Sequence, residues 1–363
     1  MLARLKCMDS AVRSDGVSDH QHLVEDVLTS VFAEAVARAE RHSPAYGQLW
    51  RTLEHNTIGG KRFRPRLVMT SYAAFGGTDW GAAARVAASV ELLHTALIVH
   101  DDVIDRDFVR RGIPNVSGVY RDLASTAGLS VPTAEHRGMG VGVIAGDLAL
   151  SYAFRLMREA SGDPAAQDAL LELLDRAVFD SAAGELIDVD FTVQAGIPSL
   201  DEIIQMERLK TAVYSFEVPL AAAALLAGAP TETVSTLTEI GTSIGIAYQL
   251  VDDLLGVFGD EQSTGKTTLS DLREGKQTAL VAFAAGTSVW PRLQPLLGKP
   301  GLTTLEADLA RDYLVESGAK ARVLELVAQH ASQARALIEH AALPGSLPEE
   351  LADLASEAVE RIR

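Results

Sequence analysis

The chain has 363 residues, enough for one large domain or two of ordinary size, and a hydrophobic content of 47% supplies a sizeable core. A formal net charge of -17 argues against a nucleic-acid partner, because an acidic surface on average repels phosphate. The single cysteine, Cys7, cannot form a disulfide within the chain, which indicates a reducing compartment. Any phosphate group bound here must therefore be held by local cations.

The chain reads as helical after a polar start. Residues 1–20 lack periodicity and large apolar groups, so a disordered N-terminal arm is predicted there. From Leu23 onward apolar residues recur at helical spacing, and strand signals are nearly absent. Stripes of this kind run through 83–106, 143–159, 168–191, 200–228, 232–258, 304–316 and 320–341. We therefore predict an all-α protein with one helical domain over residues 21–363.

Two further segments bear on the organisation of the chain. Residues 113–140 are rich in Gly, Ser, Thr and Pro, and are predicted to form a longer loop or an insertion between two helices. The most apolar window, 218–229, is shorter than the roughly 20 residues that a membrane helix requires. These features predict a cytoplasmic protein with no integral membrane segment.

The first acidic motif ends an apolar helix with His100, Asp101, Asp102 and Asp105. Asp101 and Asp105 are four residues apart, which places them on one helix face about 6 Å apart along the axis. Like charges at this spacing repel each other, and carboxylates at a helix C-terminus also oppose its dipole. A solvated acidic helix end would bear that cost, so a bound hard divalent cation is the favoured interpretation.

A second acidic motif, at 248–260, presents Asp252 and Asp253 on another apolar helix. Two such helices facing each other would form a carboxylate-lined cavity. Magnesium suits that arrangement, since it takes one or two carboxylates per ion and bridges to phosphate oxygens. Calcium is disfavoured, because the sequence has no twelve-residue loop of alternating oxygen ligands.

Cations gather beside the acidic motifs despite the acidic average. Segment 59–66 combines two glycines with four cations, and a pair of arginines at 110–111 follows the first motif. Lys210 lies on an apolar helix where a buried cation needs a partner, and Asp188 is a carboxylate on an apolar face. Singly, each could be an ordinary surface charge. Together, and without any nucleophile-and-base pattern or P-loop, they indicate electrostatic chemistry on a diphosphate leaving group.

Seven motifs in this chain resemble those of the trans-isoprenyl diphosphate synthases, or polyprenyl synthetases, and among these the bacterial geranylgeranyl diphosphate synthases. They are GGKRFRP at 59–65, HDDVIDRDFVRRG at 100–112, GELIDVD at 184–190, LKTAVYSFE at 209–217, YQLVDDLLGVFGD at 248–260, TGK at 264–266 and DLREGK at 271–276. The resemblance implies an isoprenoid-synthase-type helical bundle around a central cavity, paired as a homodimer. It also implies condensation of isopentenyl diphosphate with an allylic diphosphate to give a longer all-trans prenyl diphosphate.

The resemblance assigns roles residue by residue. The expected magnesium ligands are Asp101, Asp105, Asp252 and Asp188. The expected catalytic group is Asp101, Asp102, Asp105, Lys210 and Asp252. Isopentenyl diphosphate is expected to bind to Lys61, Arg64, His94 and Arg111, and the allylic diphosphate to Arg110, Lys210, Thr211, Gln249, Lys266 and Lys276.

The chain departs from the family pattern in two places. The second acidic motif ends in Gly256 where many members carry a third aspartate, and residues 113–140 look longer than the usual connection. For product length, Ala96 and Leu97 lie four to five residues before Asp101 and are not aromatic. In the family, aromatic residues there give short products, so geranylgeranyl diphosphate is predicted, with longer products still open.

Three other functions compete with this interpretation. A class I terpene cyclase normally replaces the second acidic motif with an Asn/Ser/Glu triad and would leave segment 59–66 idle. A non-catalytic partner subunit would not need both acidic motifs. An acidic helical scaffold would not explain the cations beside those motifs.

Overall fold

The computed structural model describes residues 2–57, 62–110, 112–194, 196–259 and 269–361 of the chain. Within these ranges the elements are almost all helical, which confirms the predicted all-α fold. The helices are α1 Leu2–Glu40, α2 Pro44–Thr57, α3 Phe63–Ala74, α4 Trp80–Ile104, α5 Val116–Thr126, α6 Val131–Glu159, α7 Pro164–Val193, α8 Leu200–Glu207, α9 Val218–Leu226, α10 Thr231–Phe258, α11 Ser270–Glu274, α12 Ala279–Ala285, α13 Trp290–Leu293, α14 Thr304–Glu316, α15 Ala319–His340 and α16 Leu347–Glu360. A π-helical segment, Arg208–Glu217, connects α8 to α9, and a short 3₁₀ turn, Gln294–Leu296, follows α13.

The helices form two compact units. The first consists of Met1–Leu174 and Pro219–Val234, and the second of Asp175–Val218 and Ser235–Arg363. The single helical domain anticipated for residues 21–363 stays a prediction.

Helix α4 is the centre of the first unit. It is rich in alanine, and packs against α1, α3 and α6. Its N-terminus is capped by Asp79, whose side chain accepts a hydrogen bond from the backbone N–H of Ala82 over 2.9 Å. Close packing with α6 is shown by Ser89, whose hydroxyl donates to the carbonyl oxygen of Ala153 over 2.7 Å. The small side chains allow the two helices to approach closely.

The second unit begins its site-bearing helix at a capping box. The Ser199 hydroxyl accepts from the backbone N–H of Glu202, and the Glu202 carboxylate accepts from the Ser199 backbone in return. Residues 208–217 then continue as a π-helix, a geometry that often marks functional positions. The apolar face of α10 packs in the core of this unit through Leu250, Val251 and Leu254. Asp252 of the second acidic motif lies on the exposed face, and Asp253 lies beside the buried one.

The structure differs from the sequence prediction over residues 1–20. Helix α1 begins at Leu2, where a disordered arm was expected. The segment contains no proline and one glycine, Gly16, so few residues interrupt the helical hydrogen-bond ladder. From Val24 onward the helix is amphipathic, and Val24, Leu28 and Phe32 are buried.

Residues 113–140 are not a longer loop. They contain the second strand of a small antiparallel hairpin, β1 Val109–Arg110 with β2 Ile113–Pro114, and then α5 and the first turns of α6. Asn115 caps α5 by accepting from the backbone N–H of Gly118, and a left-handed Gly128 with φ of 82° follows the end of that helix. Polar capping and turn residues therefore made two short connections look like one long loop. Whether the segment is an insertion stays a prediction.

Three helices of the described part of the chain are long and apolar enough to cross a membrane by length and composition. They are α4, α6 and the continuous helix Leu200–Leu226, and length and composition alone do not show that any of them crosses a membrane. That the chain has no integral membrane segment stays a prediction. In α4 and Leu200–Leu226, 78% and 72% of the most apolar window is buried inside the protein, as in core helices, against 33% in α6. Core packing thus accounts for the apolar character of two of the three.

Candidate functional site

The first acidic motif lies in the last turns of α4, where the structure brings three of the predicted residues together. Arg110, on the β-hairpin, donates to Asp102 Oδ1 from Nε over 2.9 Å and from Nη2 over 2.6 Å. The same Nη2 donates to Asp101 Oδ2 over 3.2 Å. Asp105 is half-buried at the C-cap of the helix. The hairpin thus returns a cation to the helix end that carries the carboxylates.

Burial changes the acid strength of Asp102. Its side chain is 4% exposed, and desolvation raises its pKa from 3.8 to about 6, although the Arg110 charge and hydrogen bonds lower it. The neighbouring Asp101 charge adds a smaller increase. Asp102 therefore depends on Arg110 to hold its negative charge at neutral pH.

The two histidines of α4 occupy different surroundings. His100 faces α6, where its Nε2 lies 3.3 Å from the Val143 carbonyl oxygen and 3.5 Å from Asp147 Oδ1. The lack of a side chain at Gly146 makes this contact possible, because a Cβ there would lie 2.2 Å from His100 Nε2. His94 is half-buried two turns earlier on the same helix.

The basic residues predicted to bind isopentenyl diphosphate are only partly described. Lys61 and Arg111, together with Lys266 of the allylic set, lie outside the described residues. Arg64 is half-buried in the first turn of α3. Sequence reasoning gave no role to Arg62, whose guanidinium hydrogen-bonds Glu25 of α1 and Glu91 of α4.

In the second unit, Lys210 has the partner that a cation on an apolar helix requires. Its Nζ lies 2.6 Å from Asp188 Oδ2 and 3.0 Å from Glu185 Oε2, both on α7. Gly184 lets the two segments approach closely, since a Cβ at that position would lie 2.3 Å from the Lys210 backbone nitrogen. The structure therefore pairs two predicted site residues, and adds Glu185.

A short hydrogen-bond chain connects the π-helix to the second acidic motif. The Thr211 hydroxyl donates to Gln249 Oε1 over 2.8 Å, and Gln249 Nε2 donates to Asp253 Oδ1 over 2.8 Å. Desolvation and, to a lesser extent, the nearby charge of Asp271 raise the pKa of Asp253 from 3.8 to about 7, while the Gln249 hydrogen bond opposes the rise. Thr211 and Gln249 thus orient Asp253 at the edge of the motif.

Glu207 is a buried acid that sequence reasoning missed. It is 1% exposed, and neither carboxyl oxygen has a hydrogen-bond partner among the described residues. Desolvation raises its pKa well above the usual value, and the Asp253 and Asp188 charges raise it further. The sequence signal was available, because an acid three residues before Lys210 shares a helix face with it.

The second acidic motif has its own ion pairs. Asp252 is 53% exposed on its side chain, and Arg361 Nη2 lies 2.9 Å from its Oδ1. Lys276 Nζ lies 3.3 Å from Glu274 Oε2. At Gly256, the position without a third aspartate, an added Cβ would lie 1.9 Å from Asp271 Oδ2. The carboxylate of Asp271 thus occupies the space above that glycine.

Several of these carboxylates suit a hard divalent cation by their chemistry. Asp101, Asp105 and Asp252 supply only oxygen donors, the type that magnesium prefers. In the described part of the chain, however, no group of three His, Cys, Asp or Glu side chains is arranged to hold a metal ion. Arg110 and Arg361 contribute the positive charge beside Asp101 and Asp252 instead.

Comparison with known proteins identifies the family. Residues 47–300 match the polyprenyl synthetase family, and this span includes every site residue predicted from the sequence. The chain belongs to the polyprenyl synthetase family.

Named relatives lie within the same group of enzymes. The chain is 34% identical to (2E,6E)-farnesyl diphosphate synthase from Mycobacterium tuberculosis, over 84% of this chain and 81% of that protein. It is 35% identical to the geranylgeranyl diphosphate synthase of Sulfolobus acidocaldarius, over 62% of this chain and 63% of that protein. The match thus spans less than two thirds of the Sulfolobus enzyme.

A solved structure shares the fold. The geranylgeranyl pyrophosphate synthase of Corynebacterium glutamicum, complexed with isoprenyl diphosphate and magnesium, aligns with a TM-score of 0.87 and 27% identity. The alignment covers 94% of this chain and 98% of that one. The fold is therefore that of the isoprenyl synthases, as the sequence motifs predicted.

Proposed function

We propose that this chain is a prenyltransferase that condenses isopentenyl diphosphate with an allylic diphosphate. The observation that carries the proposal is the end of α4, where Asp101 and Asp102 are held by Arg110. Carboxylates at a helix end can bind a cation, and a guanidinium beside them can donate hydrogen bonds to a diphosphate. The family match over residues 47–300 supports the same activity.

Magnesium is the proposed cofactor. Asp101, Asp105 and Asp252 would hold it, with Asp188 in support, because all four provide hard oxygen donors. When bound, the ion neutralises charge that develops on the diphosphate as it departs. The Corynebacterium structure, which contains magnesium and isoprenyl diphosphate, supports this assignment.

The proposed reaction makes one carbon–carbon bond and releases diphosphate. The carbon–oxygen bond of the allylic diphosphate breaks to give an allylic cation, which the isopentenyl double bond attacks. The resulting cation loses a proton, which the departing diphosphate accepts. In this proposal Arg110, which hydrogen-bonds Asp102, and Lys210, which pairs with Asp188, donate to the allylic diphosphate. Thr211 and Gln249, which hydrogen-bond each other, are the other polar side chains proposed for that substrate.

Geranylgeranyl diphosphate is the proposed product. Ala96 is 1% exposed and Leu97 is half-buried, one turn before Asp101, and neither provides an aromatic plug. The named relatives are a farnesyl and a geranylgeranyl diphosphate synthase. Because no aromatic side chain stands at 96 or 97, the farnesyl product is disfavoured and a longer chain is the alternative to be measured. The proposed location is the cytoplasm.

We also propose a homodimer that buries part of α6. Val143 and Ile144 are 44% and 50% exposed on this apolar helix, and Val131 at its start is 67% exposed. Exposed apolar side chains favour contact with a second copy, and Val143 and Ile144 are adjacent in the chain. Sedimentation velocity of the purified protein and of Ile144→Arg tests this, with a dimer expected for the former and monomers for the latter.

One incubation tests the activity. Purified protein, magnesium and labelled isopentenyl diphosphate are combined in turn with dimethylallyl, geranyl and farnesyl diphosphate, and products are sized by chromatography. A magnesium-dependent twenty-carbon diphosphate is expected. Cyclised hydrocarbon would indicate a terpene cyclase instead, and no elongated product with any starter would refute the proposal.

A further inference from the structure

Arg62 has an unusual backbone conformation at the N-terminal end of α3. Its φ of 46° and ψ of 41° lie in the left-handed region, directly before α3 begins at Phe63. Arg106 is the one other residue besides glycine with positive φ in the described part of the chain. A side-chain-bearing residue keeps this conformation only where its surroundings fix it. The contacts of Arg62 must therefore hold the start of α3.

The side chain provides those contacts by bridging three helices. Its Nε and Nη2 donate to the two carboxylate oxygens of Glu25 on α1, over 2.6 and 3.0 Å. Its Nη1 donates to Glu91 Oε1 on α4 over 2.8 Å, and to the Thr57 carbonyl oxygen at the end of α2 over 2.8 Å. Bidentate pairing of this type fixes orientation as well as distance.

The Glu91 side of the bridge is the more shielded from water. The Arg62 side chain is 16% exposed and that of Glu91 is 10% exposed, so water competes weakly for their hydrogen bond, whereas the Glu25 side chain is 47% exposed. Four of the five guanidinium N–H donors are engaged in these contacts. A guanidinium bound in this way has little capacity left to bind a substrate itself.

The bridged elements carry two residues of the proposed isopentenyl diphosphate site. Arg64 follows two residues after Arg62, in the first turn of α3. His94 follows Glu91 by three residues, on the next turn of α4. The Arg62–Glu91 contact therefore joins the start of α3 to the part of α4 that bears His94.

We propose that Arg62 is a positioning residue that sets Arg64 against His94 for recognition of the isopentenyl diphosphate group. The inference rests on the proposed function and adds a residue to it. Arg62 acts through its neighbours, and its removal weakens isopentenyl diphosphate binding more than allylic binding or turnover.

The test compares Arg62→Met, Arg62→Lys and Glu54→Gln with the unaltered protein. Glu54 lines the same small cavity as Arg62, yet none of the Arg62 hydrogen bonds above goes to it, so Glu54→Gln is a matched control. For Arg62→Met we expect the KM for isopentenyl diphosphate to rise about tenfold or more, with kcat and the allylic KM within about threefold. The KM of Arg62→Lys for isopentenyl diphosphate should lie between those of the unaltered protein and Arg62→Met. An ammonium keeps the charge but cannot make the several directed hydrogen bonds of the planar guanidinium.

Calorimetric titration of isopentenyl diphosphate into each protein gives a readout that does not need turnover. If the unaltered protein binds this ligand but makes no product, the proposed function fails. The ratio of the isopentenyl diphosphate affinities of Arg62→Met and the unaltered protein still tests the role of Arg62. An unchanged affinity in Arg62→Met would refute the inference. So would an equal loss for both substrates that parallels a fall in Tm, because that is the signature of general destabilisation.

Discussion

Arg110 donates two hydrogen bonds to one carboxylate oxygen of the buried Asp102, over 2.9 and 2.6 Å. Because the folded pKa of Asp102 is raised to about 6 from 3.8, the folded state holds this proton more tightly than the unfolded chain does. The contribution of Asp102 to stability therefore falls as pH rises from about 4 to about 6, and is constant above that range.

Arg110→Met should extend that pH range upward, because the buried carboxylate loses the charge that favours its ionisation. We expect a loss of about 3 kcal/mol in the free energy of unfolding at pH 8, and a smaller loss at pH 5, where Asp102 is protonated. Urea denaturation at both pH values measures this. In Asp102→Asn/Arg110→Met, compared with Asp102→Asn alone, the loss of unfolding free energy should be the same at pH 5 and pH 8. Equal losses at pH 5 and pH 8 in Arg110→Met itself would contradict the interpretation.

Gly256 is expected to tolerate no side chain without movement of Asp271, whose Oδ2 would lie 1.9 Å from an added Cβ. Gly256→Ala should therefore lower kcat, by about tenfold, because Asp271 moves away from Asp253 and changes its charge environment. A double-mutant cycle checks this, with kcat measured for Gly256→Ala, Asp271→Ala and the double variant. The glycine substitution should have little further effect in the Asp271→Ala background, and an additive loss would mean that the two residues do not interact.

Asp101→Ala and Asp252→Ala should each reduce turnover by about a hundredfold or more, since each removes a carboxylate proposed to hold magnesium. Helical content by circular dichroism should stay unchanged. The matched control is Asp122→Ala, an exposed acid on α5 that pairs with its neighbour Arg121. Full activity in both test variants would refute the proposal that Asp101 and Asp252 hold magnesium.

Ala96→Phe should shorten the product, because a ring one turn before Asp101 would limit the growing chain. Ala96 is 1% exposed, so the larger side chain should also cost about 1–3 kcal/mol of stability. Leu97→Phe, at a half-buried position, should shorten the product at a smaller cost. Product sizing and Tm measurements test both variants. An unchanged product length in each would mean that other residues limit the growth of the product.

The sequence predicted the helices that bury one continuous apolar face. The 3.6-residue period of their apolar residues is visible in the sequence without knowledge of the packing partners. The stripes at 232–258 and 304–316 correspond to α10 and α14 almost residue for residue. It failed at residues 113–140, where Asn115 and Gly128 signal helix ends rather than a loop. Capping residues and loop residues are the same amino acids, so composition alone does not separate them.

The sequence by itself determined which carboxylates and cations the candidate site contains, because their types and helical spacing are visible without neighbours. Tertiary structure alone decided which charges meet. Arg110 reaches Asp102 because a hairpin turns the chain back, and Lys210 reaches Asp188 because Gly184 leaves room. Structure alone also revealed the burial of Glu207 and the hydrogen bonds of the Arg62 bridge. Such pairings join residues distant in sequence, and their energies depend on burial, which exists only once the chain has folded.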